Sequence, residues 1–445
     1  MMEPLRDLSV EYVPISSLRP NPRNARIHTA RQVRQIGRSL ETFGFNVPVL
    51  IDATNNIVAG HGRVLAAKQR GWHEVPAIRL EHLSEAQAQA FAIADNRLTE
   101  VSAWDDRLLA EVLSGLAECE LDFSIEATGF SMTEIDLRIE SLSSSTDRAP
   151  DPSDQLLSAV NQPPVSKAGD LWTLGKHRVL CGDSRNRRSY DTLTQGALAR
   201  MVFADPPYNV RIDGHATGRG AIRHREFAMG SGEMSEREFA DFLVSVLQLL
   251  ARHCAQGSLH YLCIDWRHLS TLLQAGQQAY TELKNICVWV KDQAGLGSFY
   301  RSRHELVLVY KSGVGSSRNN IELGRHGRDR TNVWNYPGVN GFGRRGEEGN
   351  LLALHPTTKP VGLIADAILD CTKRGELVLD PFLGSGSTLM AAQRVGRVCY
   401  GIEIDPLYVD TAIRRCQRMT GEAARLMTTG ERFDAVAGSV EVRHG

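Results

Sequence analysis

The sequence predicts an α/β protein in two folded parts: a sheet covered by helices on both faces, preceded by a smaller α/β unit. Three observations carry that expectation. Apolar strand-like runs alternate with helical stretches through the C-terminal part, the pattern of a parallel sheet buried on both sides. A shorter set of strand and helix signals fills residues 18–98. Between the two, Ser141–Ala168 (SLSSSTDRAPDPSDQLLSAVNQPPVSKA) is rich in Ser, Pro and Asp without a sustained period, as expected of a linker.

Taken in chain order, Ala30, Val33, Ile36, Leu40 and Phe43 recur at three- and four-residue steps and mark a helix face. Val47–Asp52 reads as a strand, ATNN as a turn and Asn56–Gly60 as the returning strand. HGRVLAAKQRG is a helix stopped by Gly71, EVPAIRL a strand and SEAQAQAFAIADNRL a helix. Asp105–Ser114 and Ser131–Leu142 are short helices leading to the linker. Beyond it, ARMVFADPPY holds a buried strand that ends in a turn, and SEREFADFLVSVLQLLARHC is a helix with glutamates in its first turn. SLHYLCID, NICVWVK and ELVLVYKSG are strands. ELVLDPFLGSGSTLMAAQRVG is strand, glycine turn and helix, followed by a strand at RVCYGIEID and a helix at LYVDTAIRRCQRM. Between Gly313 and Leu354 the periodicity fails.

Composition narrows the function classes. With 445 residues and 42% hydrophobic content the chain can bury real cores, so a disordered polypeptide is excluded. Lys and Arg number 51 against 52 Asp and Glu, which excludes a uniformly basic nucleic-acid coat and restricts any DNA contact to local patches. No run approaches eighteen apolar residues and MMEPLRDLSV has no apolar core, so a soluble cytoplasmic protein without membrane partner is expected. Eight scattered cysteines without a CxxC pair read as reduced, mostly buried thiols, and no zinc or other metal site is expected.

Two loops carry chemistry. In Asp380–Thr388 (DPFLGSGST) a strand runs into Gly384 and Gly386 and then a helix; glycines allow close backbone approach and the helix start offers free N–H groups. A phosphate-cradling P-loop would need Gly-Lys, and a dinucleotide fingerprint would need glycine at Leu389. A nucleoside without phosphates remains: Glu403, ending the next strand, suits two ribose hydroxyls, and Asp380 favours a positive group. Ribose plus a cation describes S-adenosyl-L-methionine. An ordinary strand–helix turn is the plain alternative. The second loop, Ala204–Val210 (ADPPYNV), follows the apolar run MVF. Its two prolines lack donors and fix φ, so the carbonyls face outward from a stiff backbone. That corner suits a flat amine-bearing ring, with Tyr208 on its face and Asp205 and the Pro206 carbonyl accepting from the amine. A proline turn that merely ends a strand is the alternative here.

DPPY after a strand, HPTTKP (His355–Pro360) and then DPFLGSGST, in that order, resemble the amino-methylating (N6-adenine/N4-cytosine) DNA methyltransferases of the permuted β group, over roughly Gly169–Thr420. The resemblance implies a Rossmann-like S-adenosylmethionine-dependent fold and a DNA adenine-N6 methyltransferase acting by direct in-line transfer to a flipped base. Cytosine N4 or RNA are alternatives, as is a non-catalytic ParB-like partition regulator. It assigns catalysis to Asp205, Pro206, Pro207 and Tyr208. It assigns the cofactor to Asp183 of CGDS, His355, Thr358, Lys359, Asp380, Phe382, Gly384, Ser385, Gly386, Thr388, Glu403 and Asp405, with Thr358, Lys359 and the glycine turn at the amino-acid end. Family order puts target recognition at 313–354, where Arg325, Arg328, Arg330, Arg344 and Arg345 are interleaved with Trp334, Tyr336 and Phe342. With Arg211 and Arg223 beside the catalytic corner, these would face double-stranded DNA.

Leu18–Leu98 resembles the ParB/sulfiredoxin-like domain through RPNPRNAR, VPVLID…NIVAGHGRVLAAKQRG and the helix ending ADNRL. Gly60, His61, Gly62 and Arg63 occupy its nucleotide box. GHGR departs from the family's GERR-type pattern, which puts nucleotide hydrolysis in doubt; a phosphate, nucleotide or DNA-backbone ligand and an inert scaffold stay open. The expected divisions are 1–100 for this domain, 101–140 for a helical extension, 141–168 for the linker, 169–425 for the methyltransferase domain and 426–445 for a tail. A homodimer is a further expected partner.

Overall fold

The computed structural model describes residues 8–22, 24–119, 121–144, 163–209, 233–292, 300–323, 330–337 and 358–444. The chain divides into two compact units, 1–146 and 147–445. In the first, β1 (Val10–Pro14) is an edge strand that the sequence pattern did not mark, while α1 (Ala30–Phe43), β2 (Val49–Ile51), β3 (Ile57–Ala59), α2 (His61–Gln69), β4 (Glu74–Arg79) and α3 (Glu85–Glu100) follow that pattern within a few residues. The strands order as β1-β4-β2-β3, with β2 and β4 parallel. Val49, Ile51, Val75 and Ala77 form the middle of the core. Asp52 organises the β2–β3 turn by accepting from the backbone of Thr54 and Asn56, both at 2.8 Å. Then come α4 (Asp106–Glu118) and α5 (Met132–Ser144), packed on each other through Leu113 and Ile135.

The second unit adds β5 (Leu171–Leu174), β6 (His177–Cys181), α6 (Arg187–Thr194), β7 (Ala199–Ala204), α7 (Glu236–Arg252), β8 (Cys254–Ile264), α8 (Leu269–Ala279), β9 (Glu282–Val290), β10 (His304–Ser312) and β11 (Val333–Asn335). It continues with α9 (Val361–Cys371), β12 (Leu377–Asp380), α10 (Ser387–Arg394), β13 (Val398–Glu403), α11 (Pro406–Thr420), β14 (Arg425–Leu426) and α12 (Phe433–His444). Among the described residues its sheet has ten strands, ordered β11-β9-β10-β8-β7-β12-β13-β6-β5-β14. Alternate residues feed opposite faces. Met201, Phe203 and Val378 pack under α9, α10 and α11, while Val202, Ala204 and Leu379 pack under α7. Burial on both faces is why these strands read as unbroken apolar runs.

Four expectations change. The sheet is mixed rather than parallel: β8, β7, β12, β13 and β6 run parallel, but β10 pairs antiparallel with both β8 and β9, and β5 with both β6 and β14. Two-sided burial gives the same apolar run in either direction. Within 313–354, where periodicity fails, the three-residue β11 pairs with β9. The end of the expected linker is folded into the unit, since Val165 and Ser166 N–H both donate to the buried Asp410 carboxylate, at 2.7 and 3.0 Å. The expected tail contains α12, whose Phe433 is 1% exposed and meets Trp172 edge to face at 5.2 Å. Among the described residues no helix is long and apolar enough to cross a membrane. Seven of the eight cysteines are buried free thiols, and Cys119 is exposed.

Because Phe433 fills the space against Trp172, Phe433→Ala should lower stability by about 3–5 kcal/mol. Urea unfolding followed by tryptophan fluorescence checks this, and a loss under about 1 kcal/mol would mean that α12 is peripheral.

Candidate functional site

β7 and β12 are adjacent and parallel, with Val202 level with Leu379. The helix after β7 lies on one face of the sheet and the helix after β12 on the other. This is a switch point of an open α/β sheet, where a crevice forms beyond the carboxyl ends of the strands. The next two strands, β13 and β6, also run parallel to β12. Four neighbouring strands therefore end at one edge, bearing Asp205, Asp380, Glu403 and Asp183. The proline corner and the glycine turn leave the sheet side by side.

At the corner, Pro206 is buried while Pro207 and Tyr208 are half-buried. Asn209, at φ 52°, turns the chain and its side chain bonds both ways with the Met234 backbone. The Tyr208 hydroxyl lies 2.8 Å from Asp205 Oδ1 and 3.0 Å from Glu305 Oε2. Lys359 Nζ donates to Asp205 Oδ2 at 2.6 Å, sits 3.0 Å from Glu305 Oε2 and 3.2 Å from the Tyr208 hydroxyl. Lys291 pairs with the other oxygen of Glu305. Both ammonium groups lie over the Trp289 ring, which stands opposite Glu305 across the β9–β10 pair. The Lys359 side chain is 3% exposed and that of Asp205 19%.

Burial sets the charge state here. It raises the Asp205 carboxyl above the usual carboxylate range, with Lys359 opposing and Glu305 adding to the rise. Burial also works against ionised Glu305, but Lys359 and Lys291 overcome it and hold that group at about 2. Lys359 stays protonated: desolvation opposes its charge, and Asp205 and Glu305 more than restore it. Tyr208 is pushed well up by burial and by the two carboxylates.

At the glycine turn, Gly384 has φ 53° and Gly386 φ 90°. A Cβ on Gly386 would come within 2.9 Å of Ala412 Cβ, so the turn packs against α11 only because it carries no side chain there. Asp380 accepts from Phe382 N–H at 2.9 Å. Glu403 accepts from Gly384 N–H and Asp405 N–H, both at 2.8 Å, and Asp405 caps α11 through Leu407 N–H. Arg415 donates to the Ser385 carbonyl at 2.6 Å. Burial raises both Asp380 and Glu403 to about 7. Thr388 bonds to Asp380. Asp183 is instead held below its usual range, since its fork to Arg185 outweighs burial. Thr358 Oγ1 and Ser387 Oγ are buried polar atoms without a hydrogen-bond partner among the described residues.

Most of the expected residues therefore meet at one edge, with two differences. Lys359, expected at the amino-acid end of the cofactor, is in direct contact with Asp205. Arg330, expected at a DNA face, is turned inward: it pairs with Asp366 at 2.7 Å and Asp370 at 2.9 Å, is 16% exposed, and lies over Trp334. Trp334 is buried in β11 and so offers no ring to an unstacked strand, and the half-buried Tyr336 bonds Asp366 through its hydroxyl. His355, Arg211, Arg223, Arg325, Arg328, Phe342, Arg344 and Arg345 lie outside the described residues. Glu305 and Lys291 were missed. The available signal was an acid at the head of an otherwise apolar strand, on the face shared by Val307 and Val309.

In the first unit, Gly60 at φ 99° starts α2. Arg63 folds back to donate to the Pro48 carbonyl at 3.2 Å, while its buried Nε has no partner among the described residues. The His61 ring accepts from Asn21 N–H at 3.3 Å, and Gly62 sits where a Cβ would press on His28 and Ile36 at 3.0 Å. Burial lowers Arg63 and His61, the latter helped by His28.

The DNA methylase profile of the N6/N4 class matches residues 199–414. Profiles for the ParB N-terminal domain and the ParB-methyltransferase HTH domain match residues 3–97 and 107–168. The second of these spans α4 and α5, which the sequence pattern had marked only as a helical extension. ParB-like nuclease domain-containing protein YnaK of Escherichia coli K12 is 44% identical over 82 residues, covering 18% of this chain and 94% of its own. DNA adenine methyltransferase YhdJ of the same strain is 26% identical over 242 residues, covering 48% of this chain and 75% of its own. Among solved structures, PvuII DNA methyltransferase (cytosine-N4-specific) aligns over 63% of this chain and 95% of its own, at 15% identity and a TM-score of 0.42. Over residues 199–414 the chain matches the N6/N4 DNA methylase family, and it carries a ParB-type domain at its N-terminal end.

Proposed function

We propose that this DNA methyltransferase modifies the exocyclic N6 of adenine in double-stranded DNA, by direct in-line transfer to a base turned out of the helix. The observation that carries the reading is the side-by-side exit of the Asp205–Tyr208 corner and the Asp380–Thr388 turn from adjacent parallel strands. YhdJ, named a DNA adenine methyltransferase, supports adenine over cytosine.

The methyl donor is S-adenosyl-L-methionine, and the residues present fit it. Buried Thr358 Oγ1 and Ser387 Oγ lack partners within the chain, and the left-handed Gly386 keeps the turn free of a side chain. Glu403 would hold the ribose hydroxyls and Asp380 would favour the cation. Asp183 and Asp405 would lie toward the adenine, and Phe382, Gly384, Ser385 and Thr388 would line the rest. When bound, the donor supplies a methyl group on a positively charged sulfur. The chain's own work lies at the amine. A nucleobase amine is a poor nucleophile because its lone pair is shared with the ring. Asp205 and the Pro206 carbonyl accept its N–H bonds and favour a pyramidal nitrogen, and Tyr208 supports the ring. The ionised Asp205 carboxylate also attracts the positive charge that grows on that nitrogen, and burial strengthens the attraction.

Four outcomes follow. Asp205→Ala should retain donor binding and lose at least about 10²-fold in kcat, read as labelled methyl transferred to unmethylated duplex. Digestion of the product to nucleosides should give N6-methyladenine; a wild-type chain that binds donor but labels no DNA would falsify the enzymatic reading. Donor affinity should depend on pH with a known sign. Asp380 and Glu403 lose charge as pH falls through about 7, so the cationic donor should bind more weakly below that point, by up to about tenfold per unit for each group required ionised. Calorimetric titration that finds a flat profile removes both carboxylates from the donor site. Arg63→Ala should leave methylation of short duplexes intact, since Arg63 lies in the other unit; loss of turnover in a folded variant would make the ParB-type domain part of the catalytic cycle.

A further inference from the structure

Between Asp205 and Glu305 there are more acceptors than protons. The Tyr208 hydroxyl is within hydrogen-bond distance of an oxygen on each carboxylate, at 2.8 and 3.0 Å, yet it carries one proton. It can donate to only one of them at a time. The ammonium of Lys359 reaches both carboxylates and the phenol oxygen, so it is the group that makes the triangle attractive. Two acids and two lysines, Asp205, Glu305, Lys359 and Lys291, then balance to zero charge. Such balance is what a site this buried requires.

Glu305 is placed to govern that balance without lying on the corner itself. It heads β10, two strands from β7, and is fixed from behind by Lys291 and across the strand pair by Trp289. Lys359 already bonds Asp205 Oδ2, and without Glu305 that carboxylate would be its one acid partner, so the hold on the Asp205 oxygen would tighten. We propose that Glu305 is a positioning residue for methyl transfer: it shares Lys359 and the Tyr208 hydroxyl with Asp205 and so weakens the hold of both on the Asp205 carboxylate, which gives up one of them to accept the amine. The inference rests on the assignment of Asp205 as amine acceptor.

The test is a comparison of kcat–pH profiles of the full chain and two variants with charge changes of opposite sign. The acid limb reports protonation of Asp205. Charged or titratable groups facing Asp205 are Tyr208 on its own loop, Lys359 before α9, Glu305 on β10, Cys263 on β8 and Asp380 on β12. Glu305→Gln removes a negative neighbour and gives Lys359 wholly to Asp205. The acid limb should move to lower pH by about one unit, and the plateau kcat should fall by about tenfold or more, with donor affinity unchanged. Lys291→Met leaves Glu305 with Lys359 as its only cation and draws that ammonium away from Asp205. The acid limb should then move to higher pH. A purely structural role for Glu305 would lower both the plateau and the melting temperature and leave the limb in place. If Glu305→Gln does not fold, the upward shift in Lys291→Met carries the test alone. An active wild type with both variant limbs unmoved, or both moved the same way, overturns this proposal and leaves the assignment of Asp205 standing. A wild type that binds donor without transferring methyl overturns that assignment and this proposal together.

Discussion

The pairing of β7 with β12 is the constraint on which the rest of the second unit depends. Both strands are buried on both faces, so their only routes out are at the ends. Their following helices leave to opposite faces, and a crevice forms between the two carboxyl ends. Any ligand lying across it meets the proline corner on one side and the glycine turn on the other. That adjacency brings two loops about 175 residues apart in the chain into one site, a separation set by the motif positions.

The electrostatics of the site follow from the same edge. Four neighbouring strands each deliver an acid, and the acids meet different surroundings. Arg185 grips Asp183 and keeps it ionised. Among the described residues the donors to Asp380 and Glu403 are backbone N–H groups and a hydroxyl, and burial lifts both. Asp205 is the one acid of the four in contact with lysine. The row therefore has a cation-paired acid at each end, Asp183 with Arg185 and Asp205 with Lys359, and two acids lifted by burial between them. A positively charged donor suits the middle of such a row, and a neutral amine that becomes positive suits its lysine-balanced end.

The sequence pattern revealed elements better than partners. Strand and helix signals are local, and β7, β12, β13 and α7 were legible from apolar runs, glycines and the glutamates in the first turn of α7. Strand direction was not, because a strand buried on both faces looks alike in either orientation, which hid the antiparallel β8–β10–β9 arrangement. Short edge strands such as β11 were invisible because three residues hold no period. The loop motifs pointed to Asp205, beside two prolines, and to Glu403, at the end of the strand after the glycine turn. Glu305 and Lys291 have no such neighbours. Only the register that sets Glu305 opposite Trp289 brings them to Asp205. Arg330 illustrates the converse: an arginine beside aromatics reads as a nucleic-acid contact until two acids on α9, Asp366 and Asp370, are seen to hold it.

Lys359 connects the two halves of the site. It precedes α9, whose apolar side is built into the same core layer as α10 and α11, the helices that shape the donor turn. Its neighbour Thr358 has a buried hydroxyl with no protein partner among the described residues, while its own ammonium is committed to the acids of the corner. Under the proposed function, adjacent residues would serve different pockets. A shift of the backbone at 358–359 large enough to satisfy Thr358 with a ligand would also alter how Lys359 divides its bonds between Asp205 and Glu305. Two side chains on one short stretch of backbone need no longer pathway to couple donor binding to the charge that the amine meets.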